Sequence, residues 1–117
     1  MASNKFNAVR IPFSLDLVLN NLVPTSIQFG YCKNNVNCNN DLKGLRALDV
    51  MEKIINYMGT KGIVVMLDLH SFEPDAFSSN GLWYDNSHSE SLVVEGWNRL
   101  IARFKNTWNV FAIDVKN

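Results

Sequence analysis

The sequence predicts an α/β fold in which three parallel strands alternate with two helices. Two apolar runs, Ile63–His70 and Val110–Val115, lack the polar alternation of a half-exposed strand, as strands of a parallel sheet covered on both faces do. Two longer stretches carry apolar residues at spacings of three and four, the mark of a helix with one buried face. The elements alternate along the chain, and right-handed crossovers then make the strands parallel.

The first strand is Asn7–Phe13, short and apolar, with Pro12 expected to end it and Arg10 near its end. Residues 14–40 show no strong period and contain Pro24, Gly30 and an Asn-rich run, so they read as a long loop with one short helical turn. The first helix spans Leu42–Met58, with Leu45, Leu48, Met51, Ile55 and Met58 on one face and Gly59 and Gly62 as stop signals. The strand Ile63–His70 follows, then a loop over residues 71–87. Ser87-His88-Ser89-Glu90 fits a capping box for the second helix. That helix carries Val93, Trp97, Leu100, Ile101 and Phe104 on one face, Asn109 breaks it, and the strand Val110–Val115 closes the series.

Composition narrows the function classes. The chain has 117 residues, 47% of them hydrophobic, with eleven basic and eleven acidic side chains. Zero net charge gives no footprint for nucleic acid or an anionic membrane. The longest apolar run, Ile63–Leu67, is far short of the ~20 residues of a membrane span. Three Trp, three Tyr and seven Phe argue against disorder. The start of the chain has no apolar h-region of a signal peptide. Cys32 and Cys38 fit both a short-loop disulfide and two unpaired thiols, and a zinc site would need a second ligand pair.

Ligands of parallel α/β proteins bind at the carboxyl ends of the strands. Arg10, the Asp68/His70 pair and Asn117 stand at those three ends. Arg10 also suits simple pairing with a buried carboxylate, and His70 a structural role. A metal reading of Asp68, His70, Glu73 and Asp75 meets the objection that the last two lie beyond the strand. Neither Ser14 nor Ser71 sits in a nucleophile elbow. Trp83 and Tyr84, in the loop after the second strand, suit stacking on a sugar ring or pinning the loop.

Phe6-Asn7-Ala8-Val9-Arg10-Ile11-Pro12-Phe13-Ser14 resembles the second-strand motif of glycoside hydrolase family 5, the cellulase-type endoglucanases. Residues 62–70, ending in His70, resemble its third strand. Residues 110–117 resemble its fourth, which in the family continues into Glu-Pro. The stretch 41–62 and Leu82-Trp83-Tyr84 resemble the endoglucanase branch, so the likeness runs in order over residues 5–117.

The resemblance implies a partial (β/α)8 TIM barrel, a catalytic domain cut at both ends. It implies retaining hydrolysis of β-1,4-glucan by two glutamates ~5–5.5 Å apart, with no cofactor or metal, in a secreted, monomeric full-length enzyme. Arg10 would orient the nucleophilic glutamate, His70 would bond the sugar beside the scissile bond, and Asn117 would hold the 2-hydroxyl. The acid/base glutamate is expected directly after Asn117 and the nucleophile on a strand outside these residues, so the chain alone is expected to be inactive. Its open sheet edges predict poor solubility. A non-catalytic saccharide-binding α/β module, and metal-assisted hydrolysis at Asp68 and His70, remain the alternatives.

Overall fold

The computed structural model describes residues 5–25, 39–74 and 81–117. Cys32, Cys38 and Asp75, and with them the disulfide, lie outside the described residues. Three strands, β1 (Ala8–Ser14), β2 (Val64–Ser71) and β3 (Val110–Asp114), form one parallel sheet in the order β1-β2-β3. The helices are α1 (Leu15–Asn20), α2 (Ala47–Thr60) and α3 (Glu90–Phe104), with a single 3₁₀ turn at Asn40–Leu42.

Period-two alternation divides the sheet into unlike faces. Val65, Leu67 and Leu69 of β2 are 0–2% exposed and join Phe13, Val18, Met51, Ile55, Val93, Trp97 and Leu100 in one core. Phe13 meets Trp97 edge to face, ring centroids 5.7 Å apart. The opposite face carries Arg10 and Pro12 of β1, Met66, Asp68 and His70 of β2, and Ala112 and Asp114 of β3, in matching register. This second face is the one with polar side chains, and it carries the candidate site residues Arg10 and His70.

Pro12 does not end β1, which runs on to Ser14. The Asn7 carbonyl accepts from the Val64 N–H (2.9 Å), so odd-numbered residues of β1 bond to β2. Pro12 therefore turns its nitrogen to the open edge, where no N–H is needed. The short helical turn expected after β1 is α1, six residues long. Ser14 Oγ accepts from the Leu17 N–H (3.3 Å) and caps α1, and Asn21 closes it in a left-handed conformation at φ 44°. A six-residue helix is too short to show a period, and burial of Leu15 and Val18 holds it.

Helix α2 starts five residues later than Leu42, at Ala47. Its first N–H groups are satisfied from afar: the Ala47 N–H donates to the Leu22 carbonyl and the Leu48 N–H to Asn21 Oδ1, both at 2.9 Å. Arg103 of α3 ties the two long helices together through Asp49 and Glu52, its Nε donating to Glu52 at 2.7 Å. The Arg103 hydrogen bond holds the Asp49 carboxyl below the ordinary carboxylate range.

The N-cap of α3 is Ser89, whose Oγ accepts from the Leu92 N–H, not Ser87. Asp85 takes the Ser87 N–H instead (2.8 Å), so the capping box does not form. Asn109 does not break α3 either, since the helix ends at Phe104. It is 1% exposed, and its amide donates to the carbonyls of Ile55 (2.8 Å) and Ile63 (3.2 Å), stitching α2, β2 and β3 at one point. Gly59 accommodates it: a Cβ there would stand 3.1 Å from the Asn109 side chain. Asn109→Ala is expected to cost about 2–3 kcal/mol, from two lost hydrogen bonds and a small cavity. Urea titration followed by circular dichroism would read it, and a cost below ~0.5 kcal/mol would refute the stitch.

No helix among the described residues is long and apolar enough to cross a membrane. Along the β3 and α3 edge, Ile101, Trp108, Phe111, Ile113 and Val115 are 47–69% exposed.

Candidate active-site rim

Asp68 organises the site. It lies at the end of β2 on the polar face, 0% exposed, with its Oδ2 3.4 Å from Arg10 Nε and 3.2 Å from His70 Nδ1. Parallel pairing explains the meeting, since Arg10 sits opposite Met66 in β1 and Asp68 and His70 follow at steps of two. Arg10 thus does pair with a buried carboxylate. At 46% and 42% exposure, Arg10 and His70 keep surface for a ligand while anchored from behind. The carboxylate orients the His70 ring with Nδ1 inward and Nε2 outward, where a hydroxyl can reach it. Asp68 Oδ1 is buried without a hydrogen-bond partner among the described residues.

Asn117 reaches the same end of the sheet. Its backbone N–H donates to the Leu69 carbonyl (3.0 Å) and its amide lies 3.5 Å from Asp114. Lys116 Nζ bonds the His70 carbonyl at 3.4 Å and the Asn117 carbonyl. On the other side of His70, toward β1 and α1, a shallow cavity of about 260 Å³ is lined by Pro12, Phe13, Ser14, Leu17, His70, Ser71 and Pro74. A larger groove of about 430 Å³, around Lys53 and Tyr57, lies on the helix side, away from these groups.

Trp83 and Tyr84 stand in the loop before α3, edge to face with centroids 5.6 Å apart. Trp83 is 39% exposed and Tyr84 half-buried. Two features were not legible in the sequence: which carboxylate Arg10 pairs with, and the setting of His88. Asp68 stood in the sequence beside His70 at a strand end as well as among the metal candidates, and the structure adds its complete burial and its pairing with Arg10. His88, read merely as part of a cap, is 6% exposed and stacks on Phe72 at 5.0 Å. Among the described residues no group of three or more His, Cys, Asp or Glu is placed to hold a metal ion. The Arg10 guanidinium beside Asp68 and His70 is itself a cation where a metal would bind.

The cellulase family, glycosyl hydrolase family 5, matches the chain over residues 1–117. The major extracellular endoglucanase of Xanthomonas campestris pv. campestris is 33% identical over 112 residues, covering 96% of this chain and 21% of that protein. An endoglucanase of Paenibacillus polymyxa is 32% identical, covering 96% and 26%. The chain thus spans about a fifth to a quarter of these relatives. Among solved structures, the endocellulase of Pyrococcus horikoshii in complex with cellotetraose superposes with a TM-score of 0.83 at 36% identity, covering 98% of this chain and 28% of that one. Three parallel strands with their helices therefore match part of a TIM-barrel endocellulase fold. With a family match along its whole length and a polar rim at the carboxyl ends of its strands, the chain belongs to glycosyl hydrolase family 5, the cellulase family.

Proposed function

We propose that this chain is part of the catalytic domain of a secreted endo-β-1,4-glucanase and forms the sugar-holding section of its rim. The observation that carries the proposal is the convergence of Arg10 and His70 on buried Asp68, with Asn117 docked at the same sheet end. The extracellular endoglucanase of Xanthomonas supports the location, and the cellotetraose complex of the Pyrococcus enzyme supports the oligosaccharide class.

Each residue has a role that its geometry suits. The Arg10 charge favours the ionised form of a nucleophilic glutamate placed beside it. His70 Nε2 meets a hydroxyl of the sugar next to the scissile bond. Asn117 offers an amide to the 2-hydroxyl, a contact that strengthens as the oxocarbenium-like transition state forms. Trp83 and Tyr84 supply apolar ring faces for stacking.

Titration calorimetry of the chain with cellotetraose tests this reading. His70→Ala and Trp83→Ala are each expected to weaken binding roughly fivefold to tenfold, the worth of one hydrogen bond or one ring contact. Laminaritetraose, a β-1,3 isomer, should bind more weakly than cellotetraose. Equal affinity for the two sugars, or no effect of either substitution, would overturn the proposal.

A further inference from the structure

We propose that His88 is a positioning residue: an imidazolium clasp that fastens the Trp83–Tyr84 loop to the start of α1. The proposal rests on the reading of that aromatic pair as a sugar-stacking surface, and it adds how the surface is held in place.

The loop closes on Asp85 immediately after the two aromatics. Asp85 Oδ1 accepts the backbone N–H groups of Ser87 (2.8 Å) and His88 (2.6 Å), and the Asp85 N–H donates to the His88 carbonyl (3.0 Å). The ring of His88 then leaves this turn. Its Nδ1 lies 3.1 Å from Asp85 Oδ1, and its Nε2 lies 3.5 Å from Asp16 Oδ1 in the first turn of α1. Asp16 is itself bolted to the end of β2, its N–H donating to the Phe72 carbonyl at 2.9 Å. Phe72 stacks under the imidazole, with planes 16° apart. Three segments at the carboxyl end of the sheet meet on one ring.

The chemistry of the ring makes the clasp conditional. A neutral imidazole has one N–H and one lone pair, so it can donate to only one of two carboxylates. With a carboxylate oxygen 3.1 Å from Nδ1 and another 3.5 Å from Nε2, only the doubly protonated ring carries an N–H at both nitrogens and a charge that attracts both carboxylates. Among the described residues, the charged groups around it are Asp85 on its own loop, Asp16 on α1, and Lys116 beyond β3, whose Nζ lies 5.4 Å from the centroid of the Phe72 ring. Burial works against ionisation of Asp85, yet the hydrogen bonds from His88 and Ser87 hold its carboxyl below the ordinary range. Histidines commonly change charge over the interval of about pH 5 to 8. Loss of one ring proton releases Asp16 or Asp85 and loosens the turn that directly follows the aromatic pair.

Amide hydrogen exchange of residues 81–88 in the whole chain tests the clasp without any sugar. Exchange is also the better pH readout, because His70 is a second histidine on the ligand side. Exchange is expected to quicken roughly tenfold between pH 5.5 and 8.5 after correction for intrinsic rates, the loss of one charge-assisted hydrogen bond. His88→Gln should exchange at the fast rate at both pH values, while amides of β2 and α3 stay protected. Asp16→Asn, which keeps the ring and the Asp85 turn, should show the same loss. Nitrogen NMR should report both ring nitrogens of His88 protonated at pH 5.5. A neutral ring at that pH, or exchange that ignores both substitutions, would overturn the clasp. A protonated ring with slow exchange in a chain that binds no cellotetraose would support the clasp and refute the sugar reading instead.

Discussion

Incubated with carboxymethylcellulose, the 117-residue chain is expected to release no reducing ends above the buffer blank. Retaining hydrolysis needs two carboxyl groups about 5–5.5 Å apart across the scissile bond, one as acid and one as nucleophile. The chain has four glutamates, and none stands with Arg10 and His70 on the polar face. Glu52 serves Arg103, Glu95 serves Arg99, and Glu90 opens α3. Glu73 follows β2 in the turn closed by Ser71, whose hydroxyl donates to the Glu73 carbonyl. Asp68 is on the polar face but buried and engaged by two partners. A reducing-sugar assay over a day decides the matter. A rate above the blank that disappears in Glu73→Gln would place a catalytic carboxylate on this chain and overturn the expectation.

Arg10→Met is expected to destabilise the chain by about 2–3 kcal/mol. Removing one partner of a fully buried ion pair costs roughly 3–5 kcal/mol, because the other charge is left without compensation. Arg10 is 46% exposed, so water takes over part of its role and the cost falls below that range. His70 still faces Asp68 and supplies the rest. Asp68→Asn should cost less, near ~1 kcal/mol, since it removes the buried charge and keeps an oxygen for both partners. The order of the two variants is the informative result. Urea midpoints with Asp68→Asn below Arg10→Met would mean that Asp68 is solvated in a way its burial denies.

Both predictions turn on residues whose positions were partly legible beforehand. The run from Ile63 to His70 reads as a buried strand because nothing polar interrupts it before Asp68, and the strand spans Val64–Ser71. Its period of two already puts Asp68 and His70 on one face. What a linear reading could not supply is the neighbour. Arg10 meets Asp68 through the register of β1 on β2, and Asp68 lies 58 residues further along the chain (68 − 10). Helix boundaries failed for a related reason. The start of α2 is decided by Asn21 and Leu22, which cap it from a separate segment, and the end of α3 by its own last turn rather than by Asn109.

His88 shows the limit most clearly. In sequence it sits between two serines ahead of a helix, where a cap is the natural reading. Its surroundings come from α1, the end of β2 and its own turn, and only their meeting converts an ordinary loop histidine into a bridge between two carboxylates.

The amino-acid sequence by itself determined the parallel β-α-β-α-β order, the two amphipathic helices, the family and the strand ends where polar groups stand. These follow from local periodicity and from motifs a few residues long, which need no partner to be read. Tertiary structure alone decided which charges pair, where helices begin, and which side chains are buried between segments. Those depend on strand register and helix docking, which join residues far apart in the chain through contacts that no local pattern encodes.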